Sequence, residues 1–338
     1  MSLASFQISR AEILKRTGFE VGSHPSIKPL RVGFFRRIDI QVHGEAPKDF
    51  LRVYQYGRGR KSNPGSWPAY IAKVGQKYYP NESITEHLLT RLGEALGMDM
   101  ASSRLMWVRG QLRFLSEYFL LPGESLIHGA EIFAGYLAND LSFVQQVEEK
   151  GMSNEIFTIQ VVEAAMAKMF PDQAEAILQQ FMALLGFDAL VGNNDRHFFN
   201  WGVISPVAEG RPPRFAPIYD TARALFWNAD EAGLAKHEHP NDFAKFVRRY
   251  SAHCFPKIGC DGAVRLNHFE MIRKIYRERP MYRQVLARLS EPDLPALGKT
   301  LIETEFKDLF SPLRKRFILE CLRQRLEEYA KAVTLSTE

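Results

Sequence analysis

Leu190-Val191-Gly192-Asn193-Asn194-Asp195-Arg196-His197-Phe198-Phe199-Asn200 is the stretch on which the reading of this 338-residue chain turns. It follows Gln173 to Val191, an apolar-rich segment whose length and spacing predict a buried helix. It precedes Trp201 to Ser205, which reads as a short strand. A polar loop between two buried elements is held at both ends, and this one sets Asp195 five residues ahead of Asn200.

That spacing suits phosphoryl transfer, which asks little covalent chemistry of a protein. It needs metal to neutralise phosphate charge, a cation on the phosphates that stay behind, and a carboxylate that orients the attacking hydroxyl. Asp195 fits the catalytic carboxylate and Asn200 a metal ligand. Downstream, Phe215 to Tyr219 reads as a short strand ending on Asp220, 25 positions beyond Asp195, a fitting second metal ligand. Upstream, Lys73 sits inside the apolar strand Ala69 to Val74, where an unpaired ammonium is costly. Glu86, 13 residues later on a predicted helix, is its natural partner. Each feature alone also fits a structural role. Five of them in kinase order (strand lysine, helix glutamate, lobe transition, Asp/Asn loop, strand-end Asp) form a far more specific signal.

The flanking sequence agrees with an α+β layout. Strands are expected over Val32–Val42, Phe50–Tyr56, Ala69–Val74, Leu105–Arg109 and Leu112–Tyr118, with one helix over Ile84–Leu96 started by Pro80-Asn81-Glu82-Ser83. From Phe119 to Gly123 the texture changes. Helices are expected over Ser125–Lys150, Glu155–Phe170, Gln173–Val191, Asn267–Arg277, Met281–Leu289 and Ser311–Val333. The expected organisation is an N-terminal extension over residues 1–30, a small sheet-rich lobe over 31–121 and a larger helical lobe over 122–338.

Composition narrows the classes. With 46% hydrophobic and 25% charged residues the chain can bury a sizeable core. No apolar run approaches the roughly 20 residues that cross a bilayer. Three cysteines, Cys254, Cys260 and Cys321, do not make a disulfide framework, so a cytoplasmic setting is expected. A net charge of +5 permits phosphate-rich ligands without selecting one. His237, Glu238, His239, His253, Cys254 and Cys260 match no zinc-finger spacing and read as solvated loop residues. Leu313-Arg314-Lys315-Arg316 opens an amphipathic helix and reads as its solvated face, so neither a nucleic-acid nor a membrane partner is expected.

Leu190 to Asn200 resembles the catalytic loop of the HipA-like serine/threonine kinases. Pro217-Ile218-Tyr219-Asp220 is similar to that family's metal-binding motif, and Leu266-Asn267-His268-Phe269 resembles a motif of its helical lobe. The resemblance runs from about Arg31 to Val333. It implies a bilobal protein-kinase-like fold, ATP and Mg2+ as cofactors, and a protein Ser/Thr acceptor. By position it implies Lys73 on the nucleotide phosphates, Asp195 as catalytic carboxylate, Asn200 and Asp220 as metal ligands, and Glu117 to Phe119 at the adenine-contacting hinge. Glu86 is the natural partner of Lys73, and three readings stay open for His197: it orders the loop, contacts the reacting phosphate, or is a packed histidine that hydrogen-bonds backbone. The chain looks like the short, HipT-type members that lack the full N-terminal subdomain. An antitoxin partner, as in a toxin–antitoxin pair, is the expectation that follows. Gly57 to Ser66 departs from a clean G-x-G-x-x-G pattern; its glycines and basic residues fit a phosphate-covering loop and a plain surface hairpin equally, and the resemblance makes Ser62 and Ser66 candidates for self-phosphorylation. Two other readings stay open: a lipid or small-molecule kinase sharing the Asp-Arg-His-x-x-Asn loop, and a non-catalytic pseudokinase scaffold.

Overall fold

Leu51 and Val53, and again Tyr70 and Ala72, are buried at every second position, and this period of two builds a sheet with one buried face. The computed structural model describes residues 3, 6–21, 27–40, 47–207, 211–260, 262–263 and 265–334. The strands of this sheet are β1 (Phe35–Ile38), β2 (Lys48–Val53), β3 (Ala69–Lys73), β4 (Ser103–Val108) and β5 (Gln111–Glu117). All pair antiparallel in the order β1-β2-β3-β5-β4. The expected ends of the first strand, Gln41 and Val42, lie outside the described residues.

The chain divides into two compact units. The first comprises Met1–Phe119, Ala222–Phe243 and Ala296–Leu319. Besides the sheet it holds the helix Asn81–Ala95, which packs on β4 and β5 and is buried along nearly its whole length. The N-terminal residues belong to this core. Leu3 and Leu30 lie among the sheet's buried side chains, and the Leu30 amide donates to Trp107 O at 2.7 Å. Arg314 ties in the later segments. Its buried guanidinium donates to Phe226 O at 3.0 Å, Ala229 O at 2.6 Å and Arg16 O at 3.2 Å, and pairs with Glu231 at 2.9 Å. The face expected to be solvated is therefore, at Arg314, a buried anchor.

The second unit comprises Leu120–Thr221, Ala244–Pro295 and Glu320–Glu338. Its sheet runs β6-β7-β8, with β6 (Glu124–His128), β7 (Gly202–Pro206) and β8 (Arg214–Phe215). In its C-terminal half, helix Ala174–Val191 is apolar nearly all round, and helices Ile159–Met169, His268–Glu278 and Arg283–Arg288 all pack on it. By length and composition it would cross a membrane, yet two thirds of it, 67%, is buried inside the protein, as in a core helix.

Several expected elements differ. Ser125–Lys150 is not one helix. Its first residues pair with β7 as β6, and the rest forms two helices, Gly129–Tyr136 and Leu141–Glu149. The break is chemical: Ala138 takes a left-handed φ of 52°, and Asp140 caps the second helix by accepting from the Phe143 amide at 3.0 Å. Glu155–Phe170 breaks in the same way at Thr158, which caps helix Ile159–Met169. β8 stops at Phe215 rather than Tyr219, since Pro217 has no N–H to give a ladder. Helices Glu231–Ala235, Pro240–Ala252 and Leu294–Thr304 were not expected. The second of these makes most of the stretch from His237 to His253 helix rather than loop.

Candidate active site

Helix Ala174–Val191 ends at Gly192, whose φ of 79° reverses the chain. The amides of Gly192 and Asn193 both donate to Asp188 O, at 2.8 and 3.0 Å. The Asp188 side chain then grips the loop that follows. Its Oδ2 accepts from Arg196 Nε at 2.9 Å, and its Oδ1 accepts from Arg196 Nη2 at 3.0 Å and Asn193 Nδ2 at 2.9 Å. Both partners are about 3% exposed, so this is a buried two-pronged ion pair. The remaining Arg196 nitrogen, Nη1, donates to Asn200 O at 2.8 Å and to Tyr219 O at 2.6 Å. One guanidinium thus ties together the last turn of the helix, the end of the loop, and the residue before Asp220.

The four expected site residues of this unit lie around that anchor. Asp195 is half-buried, and its carbonyl accepts from the His197 amide at 2.8 Å and from Asn200 Nδ2 at 2.9 Å. The second bond turns Asn200 Oδ1 the other way. His197 is half-buried; its Nδ1 accepts from the Phe199 amide at 3.3 Å, a bond that orders the loop. Asp220 takes a left-handed φ of 57°, a strained setting for a residue with a side chain. Beside it the Tyr219 hydroxyl donates to Phe199 O at 3.2 Å and lies 3.1 Å from His128 Nδ1. Burial, reinforced by the neighbouring Asp220 charge, pushes this hydroxyl far above the usual tyrosine range, so it remains a neutral donor.

An amide oxygen and a carboxylate are hard donors of the kind that suits Mg2+, and the oriented Asn200 Oδ1 makes this pair compatible with such an ion. Among the described residues no group of three or more His, Cys, Asp or Glu side chains could hold a metal. Cys254, Cys260 and Cys321 are buried thiols outside any disulfide, and His237 faces Asp242 at 2.5 Å.

In the first unit, β3 delivers Lys73 and helix Asn81–Ala95 delivers Glu86. Lys73 Nζ lies 2.8 Å from Glu86 Oε1, with side-chain exposures of 11% and 5%, and 5.6 Å from the Phe114 ring centroid. Glu117 closes β5. Arg58, from the glycine-containing loop, forks onto its carboxylate at 2.6 and 3.0 Å, and Tyr70 OH donates to it at 3.3 Å. The Arg58 hydrogen bonds hold the Glu117 carboxyl below the usual range. Phe119 is half-buried two residues on. The loop folds on itself: Ser66 Oγ donates to Asn63 O at 2.8 Å and accepts from the Arg60 amide at 2.9 Å. Gly59 is required there, since a Cβ would stand 2.3 Å from Ser66 O. Ser62 is exposed.

Asp195, His197, Asn200 and Asp220 therefore share the second unit, and Lys73, Glu86, Glu117 and Phe119 the first. Asp188 and Arg58 were missed from the sequence. Asp188 did carry a signal, as the one charged residue between Ile177 and Val191. A lone buried carboxylate calls for a cation, and Arg196 is the cation eight residues on.

No curated protein matches the sequence. Among solved structures, the Helicobacter pylori proinflammatory kinase CtkA is similar with a TM-score of 0.64 and 14% identity, over 85% of this chain and 94% of that one. A chain of the Shewanella oneidensis MR-1 toxin–antitoxin complex of HipA, HipB and operator DNA is similar with a TM-score of 0.52 and 16% identity. That match covers 86% of this chain and 65% of the other, just under two thirds of its length. At such identities the likeness is one of fold: mixed α+β, a small antiparallel sheet and a larger helical part, as in these two neighbours. The family described as HipA-like C-terminal domain matches residues 40–275, which include Lys73, the Asp195 loop and Asp220, and the chain belongs to this family.

Proposed function

We propose that the chain is an ATP- and magnesium-dependent serine/threonine protein kinase of the HipA-like type. The observation that carries this reading is Arg196, which binds Asp188, Asn200 O and Tyr219 O together and so mounts the Asp195 loop and the Asp220 motif on one support. Phosphoryl transfer is mostly a matter of positioning, and a buried scaffold of this kind supplies it. Asp195 would accept a hydrogen bond from the acceptor hydroxyl and orient it. Asn200 Oδ1 and the Asp220 carboxylate would hold Mg2+, which supplies charge neutralisation on the phosphates. Lys73, oriented by Glu86, would bind the phosphates that are not transferred, with Glu117 and Phe119 at the adenine. His197 keeps the loop in shape. The proposed lobes are 31–121 and 122–338, with a cytoplasmic setting. The HipA–HipB system supports a toxin role with an antitoxin protein as partner.

The test is transfer of labelled phosphate from ATP to proteins, with lipid and small-molecule hydroxyls as parallel arms. Asp195→Ala and Asp220→Ala are expected to abolish labelling while melting within a few degrees of the parent. Full labelling by both variants would overturn the reading, and labelling of lipid alone would change the substrate class.

A further inference from the structure

The Asp195 loop has a second support, which the proposed chemistry does not use. Arg325, on helix Pro312–Ala332, is fully buried at 0% exposure. Its Nε donates to Ala189 O at 2.9 Å, its Nη1 to Ser251 O at 3.1 Å, and its Nη2 lies 3.1 Å from His268 Nδ1. Its guanidinium also sits 4.8 Å from the Phe269 ring centroid. Among the described residues no carboxylate pairs with it. The charge is met instead by carbonyls, one of them in the last turn of helix Ala174–Val191, where the helix dipole favours a cation. Gly192, the hinge between that helix and the loop, lies directly under this guanidinium: a Cβ there would stand 3.0 Å from Arg325 Cζ.

A guanidinium only donates, so His268 Nδ1 must be an unprotonated acceptor. Burial, and then the Arg325 charge, hold His268 well below the ordinary histidine range, which agrees with a neutral ring. The residue is fixed by its place at the start of helix His268–Glu278, where Asn267 and Glu270 form a reciprocal cap. With Asp188, Asn193 and Arg196 it lines a recess behind the loop. Its ring is buried and also meets the Asn193 backbone at the start of the loop. A buried cation lacking a carboxylate costs stability, and apolar residues would fill such a corner more cheaply. Stability alone does not explain the pair.

We infer that His268 and Arg325 are positioning residues: His268 Nδ1 orients the Arg325 fork, which fixes the end of helix Ala174–Val191 and hence the direction in which the Asp195 loop leaves it. This rests on the kinase reading for its effect on turnover, though not for its effect on the loop. In the full chain, His268→Leu is expected to lower kcat for phosphate transfer at least tenfold with KM for ATP within about twofold. His268→Asn, whose Oδ1 can replace Nδ1 as acceptor, is expected to recover most of the loss. Hydrogen–deuterium exchange of residues 193–200 should quicken at least tenfold in His268→Leu and in Arg325→Lys, and stay near the parent rate in His268→Asn. Exchange is read under conditions where each variant is folded. A parent protein with no transferase activity would sink the kinase reading, and the exchange pattern would still decide this one. Unchanged exchange in His268→Leu, or His268→Asn as fast as His268→Leu, would overturn it.

Discussion

Removing the Asp188 carboxylate should cost the second unit a large share of its stability, and the structure sets the size. Asp188 and Arg196 are both about 3% exposed, so Asp188→Ala leaves a guanidinium in the interior with two carbonyl partners and only the more weakly coupled Asp220 as counter-charge. Breaking a buried pair from one side costs about 3–5 kcal/mol. Asp188→Asn keeps one acceptor oxygen and the shape, and should cost less, about 1.5–3 kcal/mol, the range for a hydrogen bond to a charged group. At about 2–4 °C per kcal/mol for a domain of 150–250 residues, Asp188→Ala should melt on the order of 10 °C below the parent. The double variant Asp188→Leu with Arg196→Met separates stability from function. Apolar replacement of both partners is often neutral or better, so its melting point should return towards the parent. Its turnover should not, because the bonds from Arg196 Nη1 to Asn200 O and Tyr219 O are gone. Differential scanning calorimetry and phosphate transfer on the same preparations measure both. An Asp188→Ala cost below about 1 kcal/mol, or recovery of turnover by the double variant, would refute the anchoring role.

Two further outcomes follow from the first unit. The Glu117 carboxyl is depressed by Arg58, so the pair's contribution is complete above the unfolded carboxylate value of about 4.3 and is lost only as pH falls through the lower folded value. Proteolytic nicking between Gly57 and Ser66 should therefore stay slow from neutral pH down to about 4 and quicken below it, whereas Glu117→Gln should be cut quickly at every pH; equal rates in the two proteins would remove the clamp. Lys73→Met should lower turnover at least a hundredfold and leave Glu86 buried without its cation, at a stability cost on the order of 3 kcal/mol by chemical denaturation; undiminished turnover would exclude Lys73 from the phosphate site.

Much of this arrangement was legible because local signals and burial coincide. Lys73 and Glu86 stood out as charges in apolar periods, and such charges pair. The helix over 174–191 was readable since it holds no proline and its one glycine, Gly186, sits inside a continuous apolar run. Ser125 to Lys150 misled because its apolar spacing fits a helix throughout, while Asn139-Asp140 and the chance of pairing with β7 weigh against it. Pairing with a strand some 80 residues away leaves no local trace. Helix Pro240–Ala252 hid behind His237-Glu238-His239, whose histidines drew attention to side-chain chemistry. Arg58 could not be matched to Glu117 from sequence, because long-range charge pairs are chosen by the folded sheet rather than by spacing.

The interval between Asn200 and Asp220 has a geometric reason that the motif spacing does not reveal. β7 begins two residues after Asn200 and runs away from it, and β8 returns antiparallel, with Val203 opposite Phe215 and Ile204 opposite Arg214. The Ala216 amide closes the return by donating to Gly202 O at 2.9 Å. Residues that leave one end of such a hairpin and come back to it share that end whatever the length between, so register rather than distance along the chain brings Tyr219 within reach of Arg196. The left-handed φ of 57° at Asp220 then turns the chain immediately after the last residue that Arg196 holds. Aspartate tolerates that geometry better than most residues with a side chain, for which it costs about 1–2 kcal/mol. Arg196 binds the preceding carbonyl and its own charge is met by Asp188, so the support lies one residue away from the strain. That is the arrangement expected when the direction of the Asp220 carboxylate, rather than the comfort of its backbone, is what the fold maintains.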